Sequence, residues 1–106
     1  MRFLMTTTAA DPPDEKMVAE MDRLVEEMTR KGVLLAAGGL DPSGTRVTSS
    51  GGRITVTDGP FTEAKETISY AVYEVRSKEE AIELSRRFWQ IAGSGEGQIR
   101  QVYGPE

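Results

Sequence analysis

No cysteine and no histidine occur in this chain of 106 residues. The first absence excludes disulfides and a thiol nucleophile. The second removes the commonest general base and the commonest metal ligand. Serine-type triads then require a lysine or a carboxylate as base, and zinc sites built from nitrogen and sulfur are ruled out. No metal and no cofactor is expected. Long apolar runs are lacking too. The longest is Val33-Leu34-Leu35-Ala36-Ala37, and near the N-terminus there is only Phe3-Leu4-Met5. Neither can span a bilayer or serve as a signal segment, so no membrane association and a cytoplasmic location are expected.

Positive charge is also scarce. Thirteen Lys and Arg against seventeen Asp and Glu leave a net charge of −4, which argues against nucleic acid as a partner. What remains is ordinary globular material. Apolar residues and glycine make up about 45% of the chain, within the usual range. The length suits one domain, 1–106, with a single core.

Periodicity resolves the elements. Arg2 to Thr7 alternates as a short strand, with Phe3 and Met5 on one face. Asp11 as N-cap and Pro12 at the first helical position open a helix over 12–31. Its stripe is Met17, Met21, Leu24, Val25 and Met28, and Gly32 stops it. That methionine stripe reads as ordinary core or as an adaptable binding face. Val33 to Leu40 is apolar on both faces and predicts a buried strand. Its Ala36, Ala37, Gly38 and Gly39 leave space for a close helix, a partner or a ligand. Arg46–Ser50 and Arg53–Thr57 flank Gly51-Gly52 as a hairpin, with Val47, Ile54 and Val56 marking its buried side. Ile68 to Val75 is the clearest strand. Ser77-Lys78-Glu79-Glu80 is a capping box opening a helix over 78–92. Its inner stripe is Ala81, Leu84, Ser85, Phe88 and Ile91, and Trp89 sits on the flank as packing or as a binding aromatic. Gly93 to Gly97 reads as a flexible turn, and Gln98 to Tyr103 as the last strand.

The order β-α-β-hairpin-β-α-β predicts an α+β fold, a ferredoxin-like split β-α-β sheet with an inserted hairpin and both helices on one face. The other face, apolar in strands 33–40 and 68–75, has no helix to cover it. A second copy of the chain is the natural cover, so a homodimer is expected.

One segment is neither helix face nor plain strand: Asp58-Gly59-Pro60-Phe61-Thr62-Glu63-Ala64-Lys65-Glu66. Pro60 cannot continue a strand, and the Asp58 carboxylate is suited to closing an Asx-type turn. Phe61 can plug the loop into a core. Glu63, Lys65 and Glu66 read either as a solvated connector or as an ionisable rim around a cleft. Asp58, at a strand end, is the candidate general base. Phe61, Glu63, Lys65, Tyr70 and Arg100 are the candidate ligand contacts. For each the alternative is structural: Asp58 as turn cap, Tyr70 as core, Arg100 as an edge-strand charge.

These nine residues resemble the motif of the DGPF family, within the YCII-related group of dimeric α+β barrel proteins. The resemblance extends to the opening strand, Gly38-Gly39-Leu40 and Ile99-Arg100-Gln101-Val102-Tyr103. It implies the dimeric α+β barrel fold and a homodimer. Some related proteins carry a His–Asp pair discussed as catalytic; this chain has no histidine to match it. A protein that binds a small molecule, or an enzyme, with its cleft near residues 58–66 is one expectation. A non-catalytic interaction module is the alternative, linked through the resemblance to extracytoplasmic-function sigma factors. A purely structural dimer is the third reading.

Overall fold

A computed structural model describes residues 1–41, 43–59 and 67–104. Six strands and two helices follow in the order β1 (Arg2–Ala10), α1 (Glu15–Arg30), β2 (Leu34–Gly39), β3 (Thr45–Ser50), β4 (Arg53–Asp58), β5 (Ser69–Glu74), α2 (Lys78–Ala92) and β6 (Gly95–Gln101). The main sheet has strand order β2-β5-β1-β6, with every neighbouring pair antiparallel. This is the expected α+β, ferredoxin-like arrangement, and the hairpin β3–β4 forms a separate two-stranded sheet. No helix among the described residues is long and apolar enough to cross a membrane.

Alternation along the strands decides which face is buried. Phe3, Met5 and Thr7 of β1 and Ala71 and Tyr73 of β5 are buried. They join Leu24 and Met28 of α1 and Ala81 of α2 in one core. Both helices therefore pack on one face. The intervening residues Leu4, Thr6, Tyr70 and Val72 are only half-buried, because no helix covers their side.

Local chemistry explains most boundaries. The helix α1 starts three residues later than its prolines predict. Asp14, not Asp11, is the cap, and its carboxylate accepts from the Met17 N–H at 2.8 Å. Asp11 acts across the chain instead, accepting from the Ser94 N–H at 2.8 Å. Gly32 ends the helix region at φ +76°, the left-handed conformation that favours glycine. Ser77 caps α2 by accepting from the Glu80 N–H at 3.1 Å. Arg87 of α2 grips Glu27 of α1 through both guanidinium nitrogens, and Lys31 adds a contact at 3.2 Å. Hydrogen bonds from Arg87 and then Lys31 hold the Glu27 carboxyl down to about 2.

Three expectations are corrected. Of β2 only Leu34 is buried; Leu35 to Gly39 are exposed in the single chain, since β2 lies at the sheet edge with its far face uncovered. The hairpin has no buried side either. Val47, Ile54 and Val56 are 64–67% exposed, although they share one face through the Val47–Val56 and Ser49–Ile54 pairs. The hairpin projects from the body, and the radius of gyration is 15.8 Å, against about 13 Å for a compact chain of this length. Finally, Gly95 to Gly97 is strand rather than flexible turn.

Candidate functional site

The space above the small residues of β2 is a real cavity of about 380 Å³ between α1 and the sheet. The helix stripe supplies Met21, Leu24, Val25 and Met28, and β2 contributes Ala37, Gly38 and Gly39. Larger side chains at Ala37 and Gly39, which pair with Ala71 and Ser69 on the helix face, would occupy that space, so these small residues keep it open. Phe88 and Tyr73 close the far side. Asp22, exposed on α1, is the one charged side chain of the lining among the described residues. Ser69, in phase with Ala71 and Tyr73, adds a hydroxyl at the start of β5. A concave, largely apolar space with a few polar groups at its rim is the general form of a small-molecule site.

A polar knot sits at the inner end. The Met5 sulfur accepts from the Tyr73 hydroxyl at 3.4 Å and from the Ser85 hydroxyl at 3.2 Å. Burial pushes the Tyr73 phenol up, and its hydrogen bond with Ser85 opposes this. Tyr73 is thus a proton-bearing donor, not a base, at neutral pH. The Thr7 hydroxyl is buried and has no hydrogen-bond partner among the described residues. Among the described residues no three His, Cys, Asp or Glu side chains gather closely enough to hold a metal ion.

The residues singled out from the sequence fall in different places. Tyr70 borders the cavity through its position on β5, but its ring lies on the helix-free face across Gly38: a Cβ at that glycine would stand 3.3 Å from Tyr70 Cε1. Asp58 ends β4 on the projecting hairpin, exposed, where its carboxylate accepts from the Thr45 hydroxyl at 2.9 Å. Arg100 is exposed on β6, in register with Leu4 on the helix-free face. The structure brings neither Asp58 nor Arg100 to the cavity. Phe61, Glu63 and Lys65 lie outside the described residues. Sequence reasoning did not name Met5, Met21, Asp22, Met28 or Phe88 as site residues. The available signal was the methionine stripe of one helix followed by a strand of alanines and glycines.

A family model of the YCII-related domain matches residues 1–103. No curated protein matches the chain in sequence. Among solved structures, the chain resembles 5-chloro-2-hydroxyhydroquinone dehydrochlorinase (TftG) from Burkholderia phenoliruptrix AC1100, in complex with 2,5-dihydroxybenzoquinone. The two align over 99% of this chain and 96% of that one, with 14% identity and a TM-score of 0.51. CutA1 from the psychrotrophic bacterium Shewanella sp. SIB1 aligns over 99% and 84%, with 7% identity and a TM-score of 0.49. The likeness to TftG is one of fold, that of the dimeric α+β barrels.

Proposed function

The chain belongs to the YCII-related domain family, and from that premise we propose that it binds a small organic molecule in the cavity between α1 and the sheet, as a binding protein or as an enzyme acting on that molecule. The observation that carries this reading is the largely apolar, methionine-lined space of about 380 Å³. Ligand sites run from about 300 to 1,000 Å³, so this one suits a single ring or a short chain. The complex of TftG with a dihydroxybenzoquinone supports the reading, since a protein of this fold takes a ligand of that size. Ser69, in phase with Ala71 and Tyr73 on the helix face, and Asp22 are the groups placed to meet hydroxyl or amine substituents.

The cavity also supplies its own probes. Met5, Met21 and Met28 line it, whereas Met1 and Met17 do not. Methyl resonances of the five methionines are followed while a set of hydroxylated aromatics is added. Shifts confined to Met5, Met21 and Met28, and abolished by the filling substitution Ala37→Phe, are expected. If no compound moves them at millimolar concentration, the ligand reading is wrong.

The assembly belongs to the same proposal. The helix-free sheet face and the apolar hairpin face are covered by a second copy of the chain. The exposed side chains of Val47, Ile54, Val56, Leu35 and Leu40 amount to an interface on the order of 1,000 Å² over two copies, the size a stable dimer needs. Asp58 and Arg100, on the hairpin and the helix-free face, would then serve as interface or ligand contacts from across the dimer, together with Phe61, Glu63 and Lys65. The exposed hairpin face also favours the second reading, a non-catalytic interaction module. Loss of all ligand response in a dimer that stays intact would select it.

A further inference from the structure

A second, larger space lies on the other side of the core. It is an open groove of about 700 Å³ between α2 and β6. Three consecutive β6 residues, Gly97, Gln98 and Ile99, line it. Successive residues of a strand point to opposite faces, so the groove meets β6 along its edge. Among the described residues that edge is free, because β6 is the outer strand of the sheet, and a free edge presents unpaired N–H and C=O groups.

The opposite wall is one rail of α2. Lys78, Ile82, Arg86 and Gln90, each four residues on from the last, all line the groove. The rail is about 18 Å long, and a strand rises about 3.3 Å per residue, so five or six extended residues span it. Every second residue of a strand advances about 6.6 Å, close to the 6 Å between rail residues. Among the described residues no carboxylate lines the groove. Among them Arg86 pairs with Glu83 at 3.1 Å, and Lys78 has no ion-pair partner. The charged side chains of the described lining are therefore both basic, on a chain of net charge −4. Trp89 lies at one end, its ring packed on Gly95 and Gly97.

We propose that this groove captures an acidic, extended segment of another protein by strand addition to β6, with the pattern acidic-x-apolar-x-acidic set by Lys78, Ile82 and Arg86. Main-chain hydrogen bonds to the edge supply affinity, and the alternating side chains supply specificity. An open groove along a strand edge favours an extended chain over a small molecule, since small ligands are mostly enclosed. The chain's own hairpin is a poor fit, because it brings Arg46 and Arg53 to a positive wall. The proposal rests on different observations from the cavity reading, the two linings sharing only Met5 among the described residues.

The test uses the full chain and the peptide acetyl-Thr-Glu-Thr-Leu-Thr-Glu-Thr-amide. Two control peptides carry Lys in place of Glu, or N-methyl groups at alternate residues. Trp89, the single tryptophan, reports binding by fluorescence, and hydrogen exchange at Gly97 and Ile99, whose amides alternate with those bonded to β1, reports edge pairing. Saturable binding is expected, with slowed exchange at those amides. Affinity should fall at least tenfold in the Lys78→Glu/Arg86→Glu double variant and with the Lys peptide, and binding should vanish on N-methylation. Both substituted residues are exposed, and circular dichroism checks that the variant is folded. No binding at millimolar peptide, equal binding by the N-methylated peptide, or equal binding by the variant overturns the proposal. So does protection of the β6 edge amides in the free protein, which would assign the edge to a second copy, or displacement of the peptide by benzoate at equal affinity.

Discussion

Gly97→Ala tests the packing of β6 more severely than any surface change. A Cβ built on Gly97 lands on the Thr6 carbonyl oxygen and within 3.4 Å of the Trp89 ring; one on Gly95 lands on the Ala9 carbonyl and 2.5 Å from Trp89 Cζ3. The Thr6 and Ala9 carbonyls belong to backbone that cannot rotate away, and the β1–β6 register already shifts between Thr7 and Ala9. Ordinary contacts need about 3.5 Å, so the strands must separate by roughly 1 Å. Overpacking of this kind costs about 1–3 kcal/mol, and weakening one ladder hydrogen bond adds about 1 kcal/mol. Gly97→Ala should therefore lose about 2–4 kcal/mol, a fall in Tm of more than about 10 °C for a domain of this size. Gly104, with nothing within 4 Å of a built Cβ, is the control, and Gly104→Ala should be close to neutral. Urea unfolding followed by Trp89 fluorescence gives both values. A Gly97→Ala protein within about 0.5 kcal/mol of the parent refutes the argument that close approach, not flexibility, requires glycine there.

Tyr73→Phe removes one of the two hydroxyls donating to Met5 and should cost about 1 kcal/mol in the same unfolding assay; a gain in stability would show that the thioether contact is not a hydrogen bond. Glu27→Gln tests the tie between the helices. The folded carboxyl lies at about 2, below its ordinary 4.5, so the stabilisation is present above about 4.5 and is lost as pH falls through about 2. The variant should be less stable at pH 7 and lose less between pH 5 and 2; parallel acid curves for both proteins would contradict this. Ile54→Glu places a charge on the apolar hairpin face and should shift the mass seen by light scattering from dimer to monomer, whereas an unchanged mass would remove the hairpin from the interface. Asp58→Asn keeps an oxygen for the Thr45 hydroxyl and should change stability by less than about 1 kcal/mol; a larger loss would make the charge itself structural.

Much of the fold was legible because its causes are local. The stripe from Met17 to Met28, the Ser77 capping box, Gly32 and the Gly51-Gly52 turn each act within a few residues. Helix, strand and hairpin therefore follow from spacing and turn chemistry alone. The absence of histidine and cysteine likewise excludes the same catalysts in any fold. Tertiary structure decided everything that depends on what lies opposite a residue. Ala37 to Gly39 could have received a helix closely; the crossing of α1 left a cavity there instead. Asp11 could have capped α1; the chain reversal placed it under the Ser94 N–H, and Asp14 took the cap. The run Gly95-Glu96-Gly97 has the composition of a turn, yet its glycines admit the Thr6 and Ala9 carbonyls and the Trp89 ring. Val47, Ile54 and Val56 alternate as a buried face would, but burial is a property of neighbours, and the single chain brings none. Periodicity specifies which residues share a face, and only the folded chain determines what that face meets.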